Sequence, residues 1–261
     1  LIDVIFQQDE VARFICRKLY RWFIYYIIDD NAEVNVIEPM AQILIDNNYE
    51  IKPALEALLK SEHFFDMLYV GPMIKNPLDF GIGILKQFEV EFPEGLNIKY
   101  RVWASLYDLM ALMQMQYHEP PSVAGWKAYY QEPLYYRTWI NATTLKLRMD
   151  YTTTLSSVGF TIGDMNMAID VLRLVSTLDN PYDPNAGIAE IAAFIMRQPF
   201  NDGRKTALNE LLIPSLHDFE RTVEYGEYAA DPENSDLALS VETKLKSLVR
   251  VMTSMAEYYL S

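Results

Sequence analysis

The chain has 261 residues, 51 % hydrophobic and 22 % charged, which is apolar material enough for one large domain or two small ones. Its 36 acidic and 22 basic side chains leave a formal net charge of −14, a surface that repels phosphate backbones and excludes nucleic acid as a partner unless a local basic stripe intervenes. The longest apolar run, Trp22–Ile28, falls well short of the roughly 20 residues of a membrane span.

Helical periodicity dominates the chain from its start. Residues 9–27 open with Asp9 and Glu10, which suit the positive end of a helix dipole, and become apolar on most sides, as a central buried helix would. Cys16 sits among apolar neighbours; a single cysteine makes no internal disulfide and reads as a buried structural thiol. Arg17, Lys18 and Arg21 make the nearest thing to a basic stripe, and a solvated helix face accounts for them. Shorter helices are predicted near 37–47, 53–68, 77–89, 186–197 and 204–213, with Pro53, Pro77 and Pro184 in first turns, where the missing N–H costs nothing. His63 and Asp66 lie one helical turn apart, but zinc wants further ligands, so the histidine reads as a helix-edge residue. Gly81–Gly83 reads as a close-packing point or a bend. Over 101–116 the stripe is Val102, Leu106, Leu109 or Met110, and Met113, with the methionines as core filling rather than an adaptable groove.

The segment 118–150 is different. Pro120 and Pro121 stiffen an extended backbone, Gly125 permits a turn before Trp126, and Thr138 or Asn141 can cap a helix carrying Leu145 and Met149. A short β-hairpin near 127–137 would turn at Gln131–Pro133. Trp126 and Trp139 are thus either a ligand platform, with His118, Glu119, Asn141 and Arg148 supplying polar contacts, or indoles that plug a gap between helices. Asn141–Thr143 also fits a short glycosylation pattern, which a chance match explains.

A boundary is expected near 150–163, dividing a helical core with its aromatic segment (1–155) from a second bundle portion (156–261), possible as one packed unit. Met165, Ala168, Leu172 and Val175 predict a helix capped by Asp164 and closed before Pro181. Asp179, Asn180, Asp183 and Asn185 gather oxygen atoms, but Pro181 and Pro184 break the spacing of a calcium loop, so they read as a turn that caps the next helix. Finally Val241, Leu245, Leu248, Met252, Met255 and Tyr259 form a narrow stripe on a helix entered through Ser235 or Asp236, which wants a partner helix in this chain or in another copy. The fold class is therefore mainly α, a bundle-like orthogonal array of helices with at most that one hairpin. No nucleophile elbow, phosphate-binding loop or dinucleotide fingerprint occurs, and no metal or other cofactor is expected.

Several separated motifs carry a resemblance. Arg17, Lys18, Leu19 and Phe23, then Ser61 to Phe65, then Pro120, Pro121, Val123, Gly125 and Trp126, then Trp139, Ile140, Asn141, Thr144, Leu145 and Arg148 stand in the order found in the bacterial domain-of-unknown-function family 1800. The chain resembles that family over about 1–215, with two departures: a long Tyr-rich link between the two tryptophans, and the lack of the family's N-terminal half, which makes it look like a C-terminal portion. The resemblance implies a helical fold and export across the inner membrane, hence a periplasmic or cell-envelope location, and brings no catalytic residues. On that footing two functions are expected: a non-catalytic helical interaction or scaffold module that meets a protein partner or the missing N-terminal half, or part of an enzyme acting on a carbohydrate or cell-envelope substrate through Trp126 and Trp139.

Overall fold

A computed structural model describes residues 1–120, 125, 135–163, 165–213 and 217–261. Its elements are nearly all helices, and by their contacts they divide into two compact units, 1–73 and 74–261.

In the first unit α1 (Ile2–Phe6) leads into α2 (Asp9–Phe23), followed by α3 (Asp30–Ala32), a π-helical turn at Glu33–Ile37, α4 (Glu38–Asp46), α5 (Ile51–Leu59) and a 3₁₀ turn at Met67–Tyr69. Alpha-helix α2 packs on α4, and α4 on α5. Ala12, Cys16 and Tyr20, spaced by whole turns, bury one face of α2 against Ile37, Leu44 and Leu58. The second half of α2 is not the buried central helix its apolar sides suggest, because Trp22 faces outward. Cys16 is the buried thiol that its neighbours imply, and burial pushes its proton affinity up to about 11. Arg17 faces Glu33, which accepts from Nε at 2.9 Å, and also meets Glu10. His63 falls beyond the end of α5, not on a helix; its Nε2 pairs with the Tyr20 hydroxyl at 2.9 Å and its ring leans on Tyr69.

The second unit comprises α6 (Pro77–Gln87), α7 (Leu96–Leu112), a 3₁₀ helix at Tyr135–Trp139, α8 (Ala142–Ser156), a hairpin of β1 (Phe160–Ile162) and β2 (Met165–Met167), then α9 (Val171–Ser176), α10 (Pro184–Ile195), α11 (Asp202–Leu212), α12 (Asp218–Ala230), α13 (Ser235–Thr253) and a 3₁₀ helix at Ala256–Tyr259. Side chains of Asn76, Asn141, Asp170, Asp183, Asn201 and Asn234 each accept from a backbone N–H in a first turn, so the Asx residues set where six of these helices begin. Alpha-helix α13 packs on α8, α9, α11 and α12 through Val241, Leu245, Leu248 and Met252 of the stripe seen in the sequence, while Met255 and Tyr259 fall past its end and Asn234, not Ser235 or Asp236, caps it. Its partners therefore lie within the chain. At the other end the backbone of Lys75 donates to the carbonyl of Tyr259 at 2.8 Å, and Ile74 bridges Leu260.

One local expectation changes. The helix predicted over 163–181 shrinks to α9, capped by Asp170, and Met165–Met167 is instead a strand paired with Phe160–Ile162. Gly159 and Gly163 adopt positive φ there, of 74° and 64°, which L side chains resist, and Asn166 donates to the Val158 carbonyl to hold the turn. Most of the hairpin expected near 127–137 lies outside the described residues, and Tyr135–Trp139 at its end is 3₁₀ helical. Ser156, placed near a boundary by sequence, ends α8 inside the second unit.

Candidate functional site

The residues singled out by sequence fall around the end of α7 and the start of α8. Val102 and Met110 on α7 and Met113 just past its end face the core, and a side chain at Gly81 would push the end of Met110 aside. Alongside that stripe Tyr100, Trp103 and Tyr107 recur at spacings of three and four, so they share one face. They are 57 %, 49 % and 39 % exposed, and the Tyr100 and Trp103 rings meet edge to face at 5.2 Å.

Past the helix, Gln114 and His118 take left-handed backbone conformations, φ 71° and 65°, which double the chain back. Glu119 is thereby returned to α7, where Tyr107 donates to its carboxylate at 3.4 Å, and Gln116 also meets that carboxylate. The exposed His118 ring lies against Tyr117, centroids 4.1 Å apart. Asn141 links this turn to α8: its side-chain NH₂ donates to Gln114 at 3.0 Å, while its carbonyl oxygen accepts from the backbone of Thr143 and Thr144. Thr144 answers by accepting from the Asn141 backbone, which completes a capping box. Asn141→Ala is therefore expected to cost about 1 kcal/mol of stability, read as a lowered denaturant midpoint with unchanged slope.

Arg148 lies on the inner side. It is fully buried, donates from Nη2 to the carbonyl of Lys75 at 2.8 Å and of Trp139 at 3.4 Å, and its guanidinium sits 4.7 Å from the Phe80 ring centre. Burial lowers its proton affinity to about 10, slightly offset by Tyr259. Trp139 is half-buried, and its carbonyl is shared by Arg148 and the Thr144 hydroxyl. Trp126 lies outside the described residues. Of the six residues, then, His118, Glu119 and Asn141 edge one surface, and Arg148 stands behind it. Among the described residues no group of three or more His, Cys, Asp or Glu is arranged to hold a metal, and no helix is long and apolar enough to cross a membrane.

The model of the family described as a protein of unknown function, DUF1800, matches residues 1–260. The chain belongs to this family. The match runs through the terminal helices, past the 215 residues on which the resemblance was read. No curated protein and no solved structure matches the chain. In this DUF1800 chain the Trp–Ile–Asn–Ala–Thr–Thr stretch at 139–144 does the work of a helix cap, and the arginine four residues on is a buried cation. Sequence reasoning passed over Tyr100, Trp103 and Tyr107, although their helical spacing beside the Val102 and Met110 stripe was there to be seen. It also passed over Lys75, which lies 73 positions from Arg148 and has no local pattern to mark it.

Proposed function

We propose that the chain is a helical interaction module of an exported bacterial protein, meeting a protein partner through the aromatic face of α7 and the turn that follows. The observation that carries this is the row of Tyr100, Trp103 and Tyr107, large exposed rings on a helix whose Val102 and Met110 already fill a core. Tyrosine and tryptophan bring large contact area with few rotatable bonds, and such residues dominate binding energy at protein interfaces. Next to them Glu119 and Asn141 provide the polar rim that gives such a patch direction.

Two experiments test it. Replacing Tyr100 and Trp103 together by alanine in the full-length protein is expected to shift stability by no more than about 0.5 kcal/mol, because the rings are outside the core. A photo-crosslinking amino acid at 103 should then give one discrete protein adduct in intact cells, while the same group at the exposed Leu239 of α13 gives none. Equal adducts from both positions end the reading. Fractionation of the producing cells tests the periplasmic or envelope location. The alternative, a part of an enzyme acting on carbohydrate, draws on the same pairing of rings with the Glu119 carboxylate and the Asn141 amide, since sugars are held by stacking and hydrogen bonds. It is favoured instead if cell-wall oligosaccharides change the tryptophan fluorescence of the wild type and not of the Trp103→Ala variant.

A further inference from the structure

The second unit holds two fully buried arginines, and their surroundings differ. Arg221 has Glu224 beside it, Nη1 to Oε2 at 3.4 Å. Among the described residues Arg148 has no carboxylate: Nη2 is satisfied by two backbone carbonyls, while Nε and Nη1 are out of contact with solvent and find no partner there. A buried charge left like this is expensive, because desolvation is not repaid by an opposite charge.

Lys75 lies beside it, and the charge of Arg197 acts on Lys75. Lys75 donates from Nζ to the Tyr258 carbonyl at 2.7 Å, which leaves two of its three N–H donors, and it lies over the Tyr258 ring. Among the described residues neither it nor the exposed Arg197 pairs with an acid. Burial, then the charges of Arg197 and Arg148, bring the Lys75 proton affinity down to about 8, with Asp79 opposing. The hydroxyl of Tyr259, whose ring centre is 5.9 Å from the Arg148 guanidinium, is likewise buried and has no partner among the described residues. Acidic side chains outnumber basic ones in this chain, so a group of three cations without one paired acid runs against its composition.

We infer that Lys75, Arg148 and Tyr259 form a binding site for the oxyanion group of a ligand, with Arg197 drawing it in from the surface. The donors suit the chemistry: the unbonded Nε and Nη1 of Arg148 each offer a charge-assisted N–H, an ammonium adds a point charge, and a phenol adds one directed bond. Arg197 is exposed, Lys75 partly exposed and Arg148 buried, so burial deepens from the first to the last of them. This site rests on its own residues and does not depend on the aromatic face.

The test is thermal unfolding of the full chain at fixed ionic strength in sodium phosphate, sulfate, acetate or chloride. A saturable rise in melting temperature is expected with at least one oxyanion and not with chloride. Lys75→Gln should raise the half-saturating concentration at least tenfold, and Tyr259→Phe should raise it several-fold. Should Lys75→Gln fail to fold, Arg197→Gln, an exposed change, is expected to weaken binding several-fold. Saturation by phosphate and sulfate alone points to a phosphorylated or sulfated ligand, and saturation by acetate to a carboxylate. The site is refuted if no oxyanion exceeds chloride, or if these variants respond like the wild type.

Discussion

Arg148→Met is expected to leave the protein within about 1 kcal/mol of wild-type stability, whereas Arg148→Ala should cost about 3 kcal/mol. The two substitutions remove the same charge, so their difference isolates volume. Methionine replaces the aliphatic stem that packs against Phe80 and leaves the Lys75 and Trp139 carbonyls short of one donor each, the latter still served by Thr144. Those losses, on the order of 1–3 kcal/mol, oppose the gain from no longer holding an unpaired cation out of water, which is several kcal/mol in its own right. Alanine has the same gain and adds a cavity. Chemical denaturation of the full chain measures both, and a Met variant as damaged as the Ala variant would mean that the two carbonyl bonds outweigh desolvation. A near-neutral Met variant has a further consequence. A buried charge that contributes nothing to stability is kept for another reason, and loss of the oxyanion response in that same variant would supply it.

How much was legible in the sequence follows from which forces leave a local pattern. The α13 stripe was readable because Val241, Leu245, Leu248 and Met252 are apolar at helical spacing and nothing else competes for them. The Asn141 cap was readable for the same reason, since an Asx residue ahead of Thr144 is a local signal. Alpha-helix α8 was not. Its sequence offers Leu145 and Met149, yet Met149 is exposed and the buried face is Thr144, Arg148, Thr152 and Ser156 with Tyr151 and Leu155. Those hydroxyls are buried without loss: Thr152 and Ser156 donate to carbonyls one turn back at 3.2 and 2.7 Å, and Tyr151 reaches Gly81 at 2.9 Å. A polar stripe satisfied by its own backbone is invisible to a search for apolar periodicity. The misread helix over 163–181 errs the other way, because apolar spacing was present but the glycines at 159 and 163 had already turned the chain. Lys75 and Arg148 meet only through the tertiary fold, which no window of sequence contains.

The other buried arginine yields the second large effect. Glu224 accepts from Ser240 at 2.6 Å and from Lys244 at 2.7 Å with one oxygen and faces Arg221 with the other, so it ties α12 to α13 and neutralises a cation that is 1 % exposed. Glu224→Gln keeps the shape and part of the hydrogen bonding but removes the charge, and about 3 kcal/mol should be lost because Arg221 is then buried alone. Lys244→Gln, whose side chain is partly exposed, should cost about 1 kcal/mol or less. The pH dependence gives a check that packing damage cannot imitate. Burial pushes the Glu224 proton affinity up, but the bonds from Lys244 and Ser240 and the nearby charges of Lys244 and Arg221 outweigh it and hold the carboxyl below its ordinary 4.5. A carboxyl lowered in the folded state adds stability that is complete above its unfolded value and is lost as pH falls through the folded one. The wild type should therefore lead Glu224→Gln by the full margin at pH 7, and that lead should shrink steadily below pH 4.5 in denaturant titrations of the full chain. A gap that stays constant into acid would place the loss in altered packing, and the charge of Glu224 would then have no part in joining the two helices.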